Sequence, residues 1–169
     1  MAVSTANREI TITRVINAPR ELVWKAWTDP KHVDNWWGPN GFTNETLQMD
    51  VRPGGLWLYI MHGPNGMKFH NRVKYVEVQE PERLVYELGS DEDNDPMRFD
   101  VTVDFIDRNG RTEVIMRSIF PTAVQRNMVV EKYGAIEGGK QTLARLEVHL
   151  REQLNSRAHQ DAPSKTIKS

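Results

Sequence analysis

The sequence predicts an α+β fold in which a meander of antiparallel strands is closed by one long C-terminal helix. Three observations carry this. Alternating, β-branched runs recur from Glu9 to Ile119. The texture turns helical after Pro121. Three successive hairpins agree on which residues face inward.

Glu9 to Ile16 alternates and is β-branched, which predicts a first strand. Asn17-Ala18-Pro19 opens a short helix, with Val23 and Trp27 at i and i+4 on its inner face. Asp29-Pro30 opens a second, Lys31 to Trp36, ended by Gly38-Pro39. Further strands are expected at 44–51, 55–62, 68–78, 83–88, 97–107 and 111–119. Gly63-Pro64-Asn65-Gly66 and Asn109-Gly110 are the turn signals between them. Ala123 to Leu154 is helical in composition, with Ile136, Gly139, Leu143, Leu146 and Leu150 on one face. Gly138 and Gly139 interrupt it, each costing about 1 kcal/mol relative to alanine. Close approach to the sheet, room for a ligand, or a helix break after Tyr133 would each account for them.

Register is testable by consistency. Pairing Tyr59 with Asn71 puts Trp57, Tyr59, Met61, Phe69, Asn71, Val73 and Tyr75 on one face. It puts Leu56, Leu58, Ile60 and His62 on the other, opposite Lys74, Arg72, His70 and Lys68. Tyr75 with Tyr86 then sets Val73 by Leu88 inside and Lys74 by Glu87 outside, an opposite-charge pair. The Asn109-Gly110 turn pairs Phe105 with Val114, Val103 with Met116 and Val101 with Ser118.

The 169 residues suit one domain, expected over 8–154, with disordered ends at 1–7 and 155–169. A net charge of −1 provides no field to steer nucleic acid or an anionic membrane. With no cysteine, disulfides and thiolate chemistry are excluded. The N-terminus carries no secretory pattern, and no apolar run reaches the roughly 20 residues of a membrane span, so the expectation is a cytoplasmic protein.

All five tryptophans fall within residues 24–57. They make either a large core node or the wall of a cavity. The inner face favours a cavity, because it mixes apolar residues with Tyr59, Tyr75, Tyr86, Asn71 and Ser118. A dry core would have to pair every one of those polar tips, at about 1–3 kcal/mol for each left unpaired. A pocket supplies partners instead. The expected apolar contacts are Trp37, Trp57, Met61, Phe69, Tyr75, Tyr86, Val101, Val103 and Met116, completed from the helix by Ile136, Gly139 and Leu143. Tyr59, Asn71 and Ser118 would orient a polar group. The expected partner is a small apolar molecule, entering between the Trp36–Pro39 loop, the 89–96 loop and the start of the long helix.

Other motifs lead nowhere. Gly134 to Gln141 nearly spells a phosphate loop, but Gln141 stands where a hydroxyl is needed and no strand precedes it. Asp91 to Asp95 begins like a calcium loop, but Pro96 and Thr102 occupy its glycine and glutamate positions. His62 and His70 are off-pair with no third ligand, so no metal and no cofactor is expected. Asp50, Arg52 and Glu137 are the charged candidates for chemistry, and none forms a nucleophile with a paired base. The outward strip Leu56, Leu58 and Ile60 is a candidate homodimer face.

Several segments together carry a resemblance: Ala18-Pro19, Val23 to Pro30, Trp36-Trp37-Gly38-Pro39, Arg52-Pro53-Gly54-Gly55-Leu56-Trp57, and Gly139-Lys140-Gln141-Thr142-Leu143-Ala144-Arg145-Leu146. Over about residues 8–151 the chain resembles the homologues of the activator of heat-shock-protein-ninety ATPase, within the START-like, birch-pollen-allergen-like superfamily. The resemblance implies a helix-grip fold, a curved antiparallel sheet of about seven strands gripping a long C-terminal helix. It implies an apolar ligand held between sheet and helix. Some superfamily members catalyse cyclisation, so a cyclase- or hydrolase-type enzyme is an alternative. A chaperone partner is another, although the eukaryotic co-chaperone carries an added N-terminal domain that this chain is expected to lack. An aromatic residue is usual where Gly139 stands, and glycine there implies a larger pocket.

Overall fold

A computed structural model describes residues 4–161, with side chains through 157. Seven strands, β1 (Glu9–Ile16), β2 (Thr43–Met49), β3 (Leu56–His62), β4 (Lys68–Gln79), β5 (Arg83–Ser90), β6 (Phe99–Arg108) and β7 (Arg111–Ile119), form one antiparallel sheet. Its order is β1-β7-β6-β5-β4-β3-β2. Helices α1 (Arg20–Thr28) and α2 (Pro30–Val33) join β1 to β2, and α3 (Ala123–Tyr133) and α4 (Ala135–Asp161) follow β7. The arrangement is a helix-grip fold. No described helix is long and apolar enough to cross a membrane.

The hairpin registers follow the alternation in the sequence. Tyr59 pairs with Asn71, Tyr75 with Tyr86, Lys74 with Glu87, Phe105 with Val114 and Val103 with Met116. Leu56, Leu58 and Ile60 lie on the outer face, half-buried opposite Lys74, Arg72 and His70. Several ion pairs lie outside as well, among them Glu9 with Arg117 across β1 and β7.

The helices differ from expectation in three ways. The second helix stops at Val33 instead of Trp36. Asp34 leaves it to accept from the Thr46 backbone N–H and hydroxyl on β2, and Trp36 and Trp37 both turn inward. The expected single helix from Ala123 is two, because Gly134 adopts the left-handed region at φ 62° and caps α3. The tail expected to be irregular from 155 is helical to Asp161, and a 3₁₀ turn at Ala6–Arg8 begins the supposedly disordered N-terminus. Residues 1–3 and 162–169 of those two expectations lie outside the described residues.

The tryptophans form one connected aromatic train. Trp24 meets Phe105 edge-on at 5.5 Å, and Trp27 meets Phe105, Trp36 and Trp37 at 5.4, 4.8 and 5.8 Å. Trp37 meets Trp57 at 5.3 Å, and Trp57 stacks on Tyr59 at 4.2 Å. Each such contact adds about 0.5–1.5 kcal/mol beyond burial. This train is a core node that plugs one end of the sheet's concave face. Leu143, Leu146 and Leu150 of α4, all buried, continue the same core.

Two of the explanations for the glycines hold at different places. Gly134 breaks the helix, and Gly139 permits close approach: a Cβ on it would stand 2.9 Å from Ile12 Cγ1. One on Gly138 would meet only Pro39 Cβ, at 3.8 Å. The two neighbours should therefore respond with opposite sign. Gly138→Ala should stabilise the protein by about 0.5–1 kcal/mol through helix propensity. In Gly139→Ala, overpacking of about 1–3 kcal/mol outweighs that gain, for a net loss of about 1 kcal/mol. Urea unfolding of both variants measures the difference.

Candidate functional site

Beyond the aromatic plug the sheet and α4 do not close on each other. A cavity of about 510 Å³ lies there, of the size that holds small molecules. Its walls come from β1 (Ile10, Ile12), the Trp37–Phe42 loop, β3 to β7, the Gly89–Met97 loop, the end of α3 and the first turns of α4. Of the three segments expected at the entrance, the Trp36–Pro39 and 89–96 loops contribute lining residues, while the helix expected to start at Ala123 contributes none before Val129.

Of the residues singled out from sequence, Trp37, Tyr59, Met61, Phe69, Asn71, Tyr86, Val101, Met116, Ser118 and Gly139 line this cavity together. Trp57, Tyr75, Val103 and Leu143 do not; they are packed in the core, under the plug and the middle of α4. Ile136, half-buried on the first turn of α4, does not reach it either. Asp50 and Arg52 pair with each other at 2.7 Å away from the cavity. Sequence reasoning missed Ile10, Ile12, Leu88, Phe99 and Phe120, although the first four sit at inward positions that strand alternation marks. It missed Val129 and Tyr133 because an unbroken helix would have carried α3 elsewhere.

The loop that carries Trp37 is held by α4. The Arg145 guanidinium donates to the carbonyls of Trp37 (3.2 Å), Gly38 (2.8 Å), Pro39 (2.8 Å) and Phe42 (3.0 Å). One turn earlier, the Gln141 carbonyl oxygen accepts from Asn40 N–H at 3.0 Å. Burial pulls the Arg145 pKa below its ordinary value, yet arginine remains charged in proteins, so the carbonyl dipoles are its counterweight. On the opposite rim Arg98 donates to the carbonyls of Ser90 (2.7 Å) and Glu92 (3.0 Å).

The polar groups of the wall are chiefly neutral. Tyr59 accepts from the Trp37 indole N–H at 2.9 Å. The Tyr86 hydroxyl is shielded from solvent and has no hydrogen-bond partner among the described residues; the Trp27 indole lies close enough to favour its phenolate but falls short of hydrogen-bond geometry. Burial raises the pKa of Tyr59, Tyr75 and Tyr86, and Tyr59 and Tyr75 raise that of Tyr86 further, so all three stay protonated at neutral pH. Asp95 is the one carboxylate among the described lining residues. Burial pushes its pKa up, but the Ser90 and Met97 amides, donating at 2.7 and 2.8 Å, hold it below the ordinary value. No Lys, Arg or His is among the described lining residues. No group of three or more His, Asp or Glu among the described residues is arranged to hold a metal ion. The wall can solvate and orient an apolar molecule through phenol, amide and hydroxyl groups.

A second, polar groove of about 500 Å³ lies outside α4, between Asn35, Asn40, Arg145, His149 and Glu152. There His32 Nδ1 and His149 Nε2 are 3.0 Å apart. Burial, then His32, lowers the His149 pKa, against a smaller opposing pull from Glu152.

Comparison with known proteins agrees with this architecture. The family model described as Activator of Hsp90 ATPase homolog 1-like protein matches residues 17–151. A crystal structure of a Nitrosomonas europaea protein is similar at 24% identity and TM-score 0.80, covering 89% of this chain and 98% of its own. A solution structure from Arthrobacter aurescens is similar at 22% identity and TM-score 0.81, covering 89% and 90%. A Mycobacterium smegmatis crystal structure gives 24% and 0.76, covering 86% and 91%. At these identities the likeness speaks to fold alone. No curated protein matches the sequence.

Two predictions follow from this geometry. Arg145→Met strands four carbonyls and should cost about 2–3 kcal/mol in urea unfolding, while amide exchange in residues 37–42 accelerates. His149, with its folded pKa lowered, binds fewer protons folded than unfolded below its ordinary value of 6.5. Its contribution to stability is therefore present above pH 6.5 and lost as pH falls through that value towards the folded pKa. The drop in urea midpoint between pH 7 and 5 should be smaller in His149→Gln than in the natural protein.

Proposed function

Since this chain belongs to the Activator of Hsp90 ATPase homolog 1-like family, we propose that it binds a small apolar molecule in the cavity between the sheet and the helices α3 and α4. The observation that supports this reading is the pairing of an open apolar half of the concave face with rims pinned by Arg145 and Arg98. A pinned rim keeps a pocket open without ligand, which lowers the ordering cost of binding. Burying about 200 Å² of a guest's apolar surface contributes about 5 kcal/mol before binding costs.

Ser118 on β7, opposite Val101 on β6, lines the cavity with a small side chain, so it is the place to fill. The neutral fluorescent probe N-phenyl-1-naphthylamine should bind the natural protein saturably. Ser118→Trp should weaken that binding at least about tenfold, a difference of 1.4 kcal/mol. Unaltered probe binding by a Ser118→Trp variant that still unfolds cooperatively would sink the reading. Solvent extraction of freshly purified protein with mass spectrometry should recover an apolar compound.

A further inference from the structure

Two features of the cavity wall restrict the guest beyond its being apolar, and both rest on the binding reading just given. The first concerns charge. No cation stands among the described lining residues, and the carboxylate of Asp95 is occupied by the amides of Ser90 and Met97. An anionic guest would enter an apolar chamber whose nearest cations, Arg98 and Arg145 on the rims, are already engaged by backbone carbonyls, and whose one lining carboxylate, Asp95, would repel it. A cationic guest would find a carboxylate whose hydrogen-bonding capacity is largely engaged by backbone.

The second concerns hydrogen-bond direction. Tyr59 and Tyr86 line the cavity and are each 2% exposed. The Tyr59 oxygen is used as an acceptor by the Trp37 indole N–H, and no acceptor for its own proton occurs among the described hydrogen bonds. The Tyr86 hydroxyl has no hydrogen-bond partner among the described residues. The tyrosine end of the chamber therefore holds more donors than acceptors. A buried donor without an acceptor is costly, and a guest that brings one removes the cost.

We propose that the cavity selects neutral apolar molecules that carry a carbonyl-type acceptor, which enters first and accepts from the Tyr59 and Tyr86 hydroxyls. Acids of the same skeleton are rejected, and pure hydrocarbons bind without the added hydrogen bonds.

Three compounds of one shape test this: 2-acetylnaphthalene, 2-ethylnaphthalene and 2-naphthoate, titrated at pH 7.5 against the full chain and followed by protein NMR. The ketone should bind about tenfold more tightly than the hydrocarbon, as one or two net hydrogen bonds allow. The naphthoate should bind at least about a hundredfold more weakly than the ketone, as an unpaired buried carboxylate requires. Tyr59→Phe with Tyr86→Phe should bring the ketone down to the hydrocarbon's affinity while leaving the hydrocarbon unchanged. Tyr86→Phe alone, which removes no partner from another side chain, should give part of that loss and guards against a double variant that fails to fold. Equal binding of ketone and hydrocarbon by the natural protein would overturn the selectivity and leave the cavity reading standing. Preferred binding of the naphthoate would overturn it too. Failure of all three to bind would overturn both.

Discussion

One guanidinium ties this molecule's two halves together. Arg145, from the middle of α4, gathers the carbonyls of Trp37, Gly38, Pro39 and Phe42 on the loop that leads from the helices into the sheet. A fork with five donors can satisfy several carbonyls at once, which an ammonium cannot do in fixed geometry. Gln141, one turn away on the same face, takes the Asn40 amide. Two well-separated stretches of sequence, Trp36-Trp37-Gly38-Pro39 and Gly139 to Leu146, are thus the two sides of one clamp.

That clamp decides how the concave face is shared. Pinning the loop sets Trp37 between Trp27, Trp36 and Trp57, so the aromatic train is continuous from α1 to β3. The train fills one end of the grip, and the leucines of α4 seal it. The other end stays open because α4 begins only after Gly134, and Gly139 rests directly on Ile12. Contact at Gly139 brings the helix to the sheet edge at β1, while the turns before it stand over the cavity.

The same division separates chemical roles. Indole N–H groups at the junction meet the phenols from the core side: Trp37 donates to Tyr59, and Trp27 approaches Tyr86. No acceptor for either phenol proton occurs among the described hydrogen bonds. Desolvation keeps those protons in place. The pocket wall is therefore made of apolar and neutral polar groups with one carboxylate, Asp95, a different surface from the Asp- and Arg-studded outer face of the sheet.

Much of the fold was legible in the chain. Strand alternation with a period of two, checked across three hairpins, determined the register and the inward set, because a slip of one residue would turn every side chain over. Ten of the fifteen residues expected at the site line the cavity, eight of them strand residues placed for that reason. The other five, Trp57, Tyr75, Val103, Leu143 and the partly buried Ile136, belong to the core or pack against it, since facing inward does not distinguish a packed wall from an open one.

What the sequence determined by itself was the element order, the pairing and the inner face, since those depend on local periodicity and turn residues. Where the inner face is filled and where it is hollow was decided only by tertiary structure. That outcome depends on the left-handed turn at Gly134, on the contact of Gly139 with Ile12, and on the reach of Arg145 across more than a hundred residues. Each is a long-range fit of volumes and dipoles, and no local pattern encodes the distance between two surfaces.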